Sequence, residues 1–239
     1  MSNEVIYGRN SVRDTLRANN VTKLFLAQNL TNSEFVTLAK AHNVPYEFVS
    51  GNKLNDLTNS KNHQGVVALM RAYVYTKLNT LIEKASKKEN PLIIMMAEVQ
   101  DPHNLGAIIR IADAFSVDGI IIQKHRQVQM NASVIKVATG AHNYVPVVQV
   151  TNLNQTAKKL KDAGYWLVGS DANAPDNYLD LKYDFPCVLV VGAEGRGIPP
   201  LLASNCDLMV QIPQSGHVNS LNVSVATGIL IAGIRGKQN

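Results

Sequence analysis

From Pro91 onward, short apolar runs rich in β-branched residues alternate with stretches of helical spacing, and this alternation limits the possible folds most strongly. The runs LIIMMAEV (92–99), DGIIIQ (118–123), YVPVVQV (144–150), YWLVGSD (165–171), PCVLVVGA (186–193) and DLMVQIP (207–213) read as strands. Helices are expected near 104–116, 131–139, 153–163 and 198–204, with a last one near 220–235. A strand with one wet face alternates apolar and polar residues. These runs are apolar on both faces, so their sheet must be covered on both sides. Helices returning between successive strands supply that cover and make the sheet parallel, which gives an α/β fold.

The first third reads as a smaller α/β module, with strands at 21–27, 44–50 and 64–75 and helices at 11–19 and 32–43. The polar, lysine-rich segment TKLNTLIEKASKKEN (76–90) closes at Pro91 and reads as a linker between a domain over 1–75 and another over 91–239. Leu78, Leu81, Ile82 and Ala85 fall at helical spacing, so the linker can carry a helix.

Charge separates the two parts. Residues 1–90 hold 12 Lys and Arg against 7 Asp and Glu, whereas residues 91–239 hold 11 against 11. The entire positive excess therefore sits on the first part, as expected of a domain that grips a polyanion, or of a solvated surface that is merely basic. The opening MSNEVIYGRN has no basic segment followed by an apolar one, and stretches such as PLIIMMA (91–97) are short for a bilayer. A cytoplasmic protein without a membrane partner is expected. Cys187 and Cys206 lack CxxC spacing and the six histidines form no ligand cluster, so buried free thiols and no metal are expected.

Three segments could carry chemistry. Gly192, Gly195 and Gly197 in GAEGRG follow a strand, but G-x-x-G-x-G is not the dinucleotide fingerprint, and no GxxxxGK[ST] loop occurs. This spacing excludes a dehydrogenase and leaves either a tight turn or a ligand other than NAD or ATP. In DPHNLGAIIRIADAF (101–115), Asn104 is a candidate N-cap, and Leu105, Ile108, Ile109, Ala112 and Phe115 form a buried stripe. Arg110 points off the stripe one turn from Asp113, where an exposed ion pair is the plain reading. In QIPQSGHVNSLNVSVATGILIAGIRG (211–236), Ser215, His217, Asn219, Ser220 and Asn222 crowd the loop before the last helix. That helix is apolar all round, which calls for burial all round. Its Ala226, Gly228, Ala232 and Gly233 permit close approach by another helix, from this chain or from a second subunit.

Together these stretches resemble, in order and spacing, the three motifs of the SpoU-TrmH RNA methyltransferases: DPHNLGAIIRIADAF, VVGAEGRGIP and IPQSGHVNSLNVSVATGI. YGRNSVRDTLRAN and NHQGVVA (62–68) resemble the family's small substrate-binding domain, which is similar to ribosomal-protein RNA-binding modules. The two-domain layout is most similar to the RlmB type, which methylates a guanosine of 23S rRNA in the peptidyl-transferase centre. Members acting on tRNA often lack the first domain. Ala193 and Gln214 stand where many members have serine and methionine, and neither change removes a catalytic group.

The resemblance implies a deep trefoil knot, a homodimer packed through it, and S-adenosylmethionine as cofactor. Backbone groups of Gly192, Ile212 and Leu221, near Thr139 and Gly140, would hold the cofactor. Arg110 matches the motif arginine. A guanidinium is almost always protonated, so holding a phosphate and stabilising a developing alkoxide suits it better than general-base work. Asn104 would orient the ribose, Glu194 and Asn222 would fix the arginine, and Ser220 would add a hydrogen bond. A non-catalytic RNA-binding descendant would be marked by loss of Arg110, Glu194 or Asn222, and all three are present.

Overall fold

A computed structural model of the chain describes residues 3–31, 33–217 and 220–238. It divides into two compact units, one built on the first 74 residues together with Met130–Lys136, the other on the remainder.

The first unit runs β1 (Asn3–Tyr7), α1 (Arg9–Arg17), β2 (Val21–Ala27), α2 (Glu34–Ala41), β3 (Tyr46–Val49), α3 (Gly51–Thr58) and β4 (Val66–Arg71). Its sheet has the order β1-β4-β2-β3, antiparallel except for the β2–β3 pair. Period-two alternation separates its faces. Leu24, Leu26, Val66 and Ala68 pack with Val12 and Leu16 of α1 and Phe35 of α2, while Phe25, Val49 and Val67 pack with Leu54 of α3. β1 and α3 do not emerge from the sequence reading; the first strand is β1, not the run at 21–27.

The second unit begins with α4 (Leu78–Ala85), inside the stretch read as a linker. Leu81 and Ala85 of α4 are buried in the unit's core. Next come β5 (Leu92–Met96), α5 (Pro102–Ala114), β6 (Gly119–Gln123), β7 (Val147–Val150), α7 (Leu153–Asp162) and β8 (Trp166–Ser170), while α6 (Ala132–Ala138), between β6 and β7 in the chain, groups for most of its length with the first unit. The two-residue β9 (Asp176–Asn177), β10 (Cys187–Val191), α8 (Pro200–Ala203), β11 (Leu208–Gln211) and α9 (Val223–Gln238) complete it. The sheet is parallel throughout, in the order β7-β6-β5-β10-β8-β11-β9. All five residues of β5 and of β10 are buried, as the continuous apolar runs require. One face meets Leu81, Leu153, Ala157, Leu160 and Leu202; α5 and α9 pack against each other, and α9 against β10.

α9 is held at its far end by Arg235. Its guanidinium donates to the carbonyls of Phe115 (3.2 Å), Ser116 (2.7 Å) and Asn90 (3.0 Å). It also lies 3.5 Å from the nearly buried Asp118 carboxylate, which Lys88 approaches to 2.6 Å. The carbonyls after α5 have no helical partner of their own, so the arginine satisfies groups that would otherwise be stranded. Cys187 and Cys206 are free thiols, the first buried and the second partly so.

Arg235→Ala should lower the unfolding free energy in urea by about 1–3 kcal/mol, because it removes hydrogen bonds to three carbonyls and one of the two cations beside the nearly buried Asp118 carboxylate. Burial pushes the Cys206 thiol up to about 12. The thiolate is the reactive form, so at pH 8 native Cys206 should be alkylated roughly a thousandfold more slowly than the unfolded chain. Mass spectrometry before and after denaturation checks this.

Candidate active site

The site lies at the carboxyl edge of the parallel sheet, where ligands of open α/β sheets bind. The loop after β5 leads into α5. Asp101, not Asn104, caps this helix: its carboxylate accepts from the backbone N–H of His103 at 2.8 Å, and Pro102 occupies the first helical position. Relieved of capping, Asn104 sits buried in the first turn with its side chain directed into the site.

The glycine loop after β10 explains its own composition. Gly192 lies against the returning chain, so a Cβ there would stand 2.0 Å from the Gly197 carbonyl carbon and oxygen. Gly197 N–H donates to the Ala193 carbonyl at 2.9 Å, and Gly195 and Gly197 adopt φ of +75° and +66°. The close approach that demands glycine at 192 is therefore made by the protein itself, and the loop is a tight hairpin. Glu194 stands at its head.

Glu194 is where the three motifs meet. Its Oε1 accepts from Asn104 Nδ2 (3.1 Å), Asn222 Nδ2 (2.5 Å) and the backbone N–H of Val223 (3.2 Å). Asn222 Nδ2 also donates to Asn104 Oδ1 at 2.9 Å. The other end of Asn222 caps α9, its Oδ1 accepting from Ser224 N–H (2.9 Å) and the Ser224 hydroxyl (2.6 Å). Both ends of the Asn222 amide are thus engaged, and the three side chains hold one another rigidly.

Two cavities flank this cluster and share Ala193, Glu194, Arg196 and Val223 as a wall. The first, about 290 Å³, is lined by Gly192, Ile212, Ser220 and Leu221, by the apolar Val191, Val210 and Leu230, and by the polar Ser170, Asp171 and Asn173. The second, about 350 Å³, is lined by Glu98, Val99, Gln100, Asp101 and Asn104. Glu98 holds φ of +58°, an unusual conformation for a side-chain-bearing residue.

Several expected residues fall elsewhere. Thr139 and Gly140 line neither cavity; with φ of +47° and +95° they turn the chain after α6 into a short 3₁₀ turn, where Asn143 N–H donates to the Gly140 carbonyl. Arg110 is exposed, six residues beyond Asn104 and so about 240° around α5, and lines neither cavity. Among the described residues it forms no ion pair with Asp113, and Glu194 and Asn222 fix Asn104 rather than the arginine. Phe115 is 39% exposed at the end of α5, outside the buried stripe. Asn219 lies outside the described residues. Asp171, Asn173 and Arg196, absent from the residues expected above, also line the first cavity, and their signal in the sequence is a polar residue shortly after a buried strand at the sheet's carboxyl edge. Among the described residues no group of three His, Cys, Asp or Glu could hold a metal ion, and no helix is long and apolar enough to cross a membrane.

Residues 91–232 match the SpoU rRNA Methylase family and residues 5–76 match the RNA 2'-O ribose methyltransferase substrate binding family. The chain is 38% identical over 241 residues to YacO of Bacillus subtilis (strain 168), which is assigned to the TrmH family of tRNA/rRNA methyltransferases; the match covers 99% of this chain and 96% of that one. Among solved structures, an AdoMet-bound rRNA methyltransferase from Sinorhizobium meliloti is 25% identical with a TM-score of 0.66, over 98% of this chain and 87% of its own. The TrmH/SpoU tRNA modifying enzyme of A. aeolicus is 30% identical with a TM-score of 0.57, over 67% of this chain and 82% of its own.

Gly192→Ala should cost more than about 2 kcal/mol, since backbone, not a flexible side chain, occupies the space a Cβ needs. Urea denaturation measures the loss, and hydrogen exchange should show it as weakened protection across 192–198.

Proposed function

The chain belongs to the SpoU rRNA Methylase family, and on that premise we propose that it methylates the ribose 2′-oxygen of a guanosine of 23S rRNA in the peptidyl-transferase centre. S-adenosylmethionine-dependent RNA 2′-O-ribose methyl transfer is the family's reaction. The observation that carries the reading is the meeting of Asn104, Glu194 and Asn222 at the wall between two cavities, one for the methyl donor and one for the ribose.

The first cavity fits the donor. At about 290 Å³ it stands near the lower end of small-molecule sites. Its apolar side suits an adenine ring, while Ser170, Asp171 and Asn173 offer partners for hydroxyl and amino groups. Bound there, S-adenosylmethionine supplies a methyl group already activated by the positive sulfonium.

The protein must then align the acceptor oxygen, exclude water and handle one proton. Asn104, immobilised by two hydrogen bonds and lining the second cavity, orients the ribose. Glu194 and Asn222 fix Asn104, while Ser220 contributes a hydrogen bond at the rim of the donor cavity. Arg110 holds the neighbouring phosphate and stabilises the developing alkoxide.

Because one chain leaves Arg110 outside both cavities, the reading includes a homodimer in which a second copy completes the site. Val225 in the first turn of α9 is 51% exposed and Phe115, just past α5, 39%, apolar groups that such a copy would cover. A deep knot is consistent with β10 lying between β5 and β8. The full-length match to an rRNA enzyme, against the partial match to a tRNA enzyme, favours rRNA. The basic first domain serves as the RNA reader, and the enzyme works in the cytoplasm.

Mapping 2′-O-methyl groups in RNA from a strain lacking the gene should show one guanosine of 23S rRNA unmethylated; a loss confined to tRNA would overturn the rRNA assignment. Arg110→Ala should reduce methyl transfer by at least roughly a hundredfold while changing stability by less than about 0.5 kcal/mol, because Arg110 is exposed and supports no other group among the described residues. Transfer of labelled methyl groups to that RNA provides the assay. Full activity would remove Arg110 from the mechanism.

A further inference from the structure

The turn that follows β6 carries three consecutive basic or titratable side chains, Lys124, His125 and Arg126, all exposed. Nothing in the catalytic assignment uses them. We propose that the Lys124–Arg126 turn is a preformed phosphate-binding platform of the catalytic unit, which grips the RNA backbone beside the ribose being methylated. This proposal rests on the RNA-methyltransferase reading and adds a contact surface to it.

The backbone of the turn is held at both ends. Lys124 N–H donates to the Val150 carbonyl at 2.8 Å and Val128 N–H to the Val99 carbonyl at 2.9 Å, so both ends of the turn are tied down. Beneath it lies a cluster of glutamines. Gln129 Nε2 donates to the carbonyls of Gln123 and Gln127, both at 2.9 Å, and Gln127 Oε1 accepts from Gln123 N–H at 3.3 Å. Gln149 Nε2 in turn donates to Gln129 Oε1 at 2.5 Å. Arg126 holds φ of +58° at the tip, an uncommon conformation that persists where surrounding structure enforces it. Side-chain hydrogen bonds of this number are unneeded for a solvated loop. They fix the backbone from which the cations project.

The turn leaves the same carboxyl edge of the sheet as the catalytic loops. Val99, its hydrogen-bond partner, lines the second cavity next to Glu98 and Gln100. Val128, two residues beyond Arg126, therefore ties the end of the turn by one backbone hydrogen bond to the wall of the proposed ribose site.

Residues 91–239 are neutral overall, so this cluster is a local concentration and not part of a general basic surface. Among the described residues neither Lys124 nor Arg126 forms a salt bridge, which leaves both free for an outside anion. A strand of RNA entering the second cavity would bring its adjacent phosphates past this turn, and cations carried on a fixed backbone suit that repeating charge.

The test uses the full-length protein with Lys124→Gln and Arg126→Gln, singly and combined, and 23S rRNA freed of protein from a strain lacking the gene. The double variant should bind this RNA about tenfold more weakly at moderate salt, and the slope of log affinity against log salt should become shallower by about 1.5. KM for RNA should rise while affinity for S-adenosylmethionine stays unchanged. Arg126→Lys, which keeps the charge, should recover most of the binding. An unchanged salt slope and KM in the double variant would overturn the proposal, as would an equal loss of cofactor affinity, which would indicate a disturbed site. If the unaltered enzyme transfers no methyl group to any RNA, the functional reading fails, and the salt slope of binding still decides whether the turn contacts phosphate.

Discussion

One carboxylate oxygen holds this catalytic unit's working parts in register. Glu194 Oε1 receives an N–H from the first turn of α5, one from the Asn222 amide and one from the first residue of α9. Val223 N–H belongs to the group of donors that every helix start leaves without a partner, and a negative charge there is also favoured by the helix dipole. The carboxylate thus satisfies α9 electrostatically while tethering α5, 90 positions earlier in the chain, to the glycine hairpin. Asn222 reinforces the junction because its carbonyl caps α9 while its amide group reaches Glu194 and Asn104. Replacing the glutamate by an apolar residue would take the acceptor from the Asn104 amide and the Val223 N–H and leave Asn222 only its bond to Asn104.

The junction can form because the sheet brings the relevant loops to one edge. With every strand parallel, the segments after β5, β6, β8, β10 and β11 all emerge on the same side. β10 lies between β5 and β8, so the glycine hairpin rises between the loop that starts α5 and the polar residues at 170–173. Tight closure of the hairpin at Gly192 keeps Glu194 close to the sheet and leaves room on either side. Two cavities with a common wall follow from this geometry, and a transfer between two bound molecules requires two such neighbouring spaces.

How much of this was legible depended on the range of the interactions involved. The strands at 92–96, 119–123 and 187–191 announce themselves because burial on both faces leaves no polar residue in their middles. β1 is short and stands only through antiparallel pairing with β4, nearly 70 residues away, a contact that no local pattern encodes. α3 offers little apolar periodicity beyond Leu54 and Leu57 and owes its start to the Ser50 side chain, which accepts from Lys53 N–H. Asn104 was misread as a cap because asparagine favours that role, yet Asp101 followed by Pro102 is the stronger pair, since proline at the first helical position loses no hydrogen bond. Membership of Asn104, Glu194 and Asn222 in one cluster was legible from the motifs. Their mutual bonding was not, because it depends on the sheet order.

The last helix shows where a sound rule meets the limit of a single chain. A helix apolar all round should be buried all round. α9 buries Val223, Thr227, Leu230, Ile231 and Ile234, yet Val225 and Ala232 remain exposed. Gly233 is already filled from within, by the Tyr178 ring. The uncovered side therefore consists of residues that nothing among the described residues covers. Arg110 presents the matching difficulty on α5, a motif residue that the fold of one chain leaves in solvent. A second copy seated on α5 and α9 would answer both, by covering the apolar strip and by giving the arginine a site to serve. The dimer and the catalytic role of Arg110 therefore belong to one proposal. A chain that proved monomeric while fully active would leave the arginine without a site to serve, and only the motif match would then speak for its catalytic role.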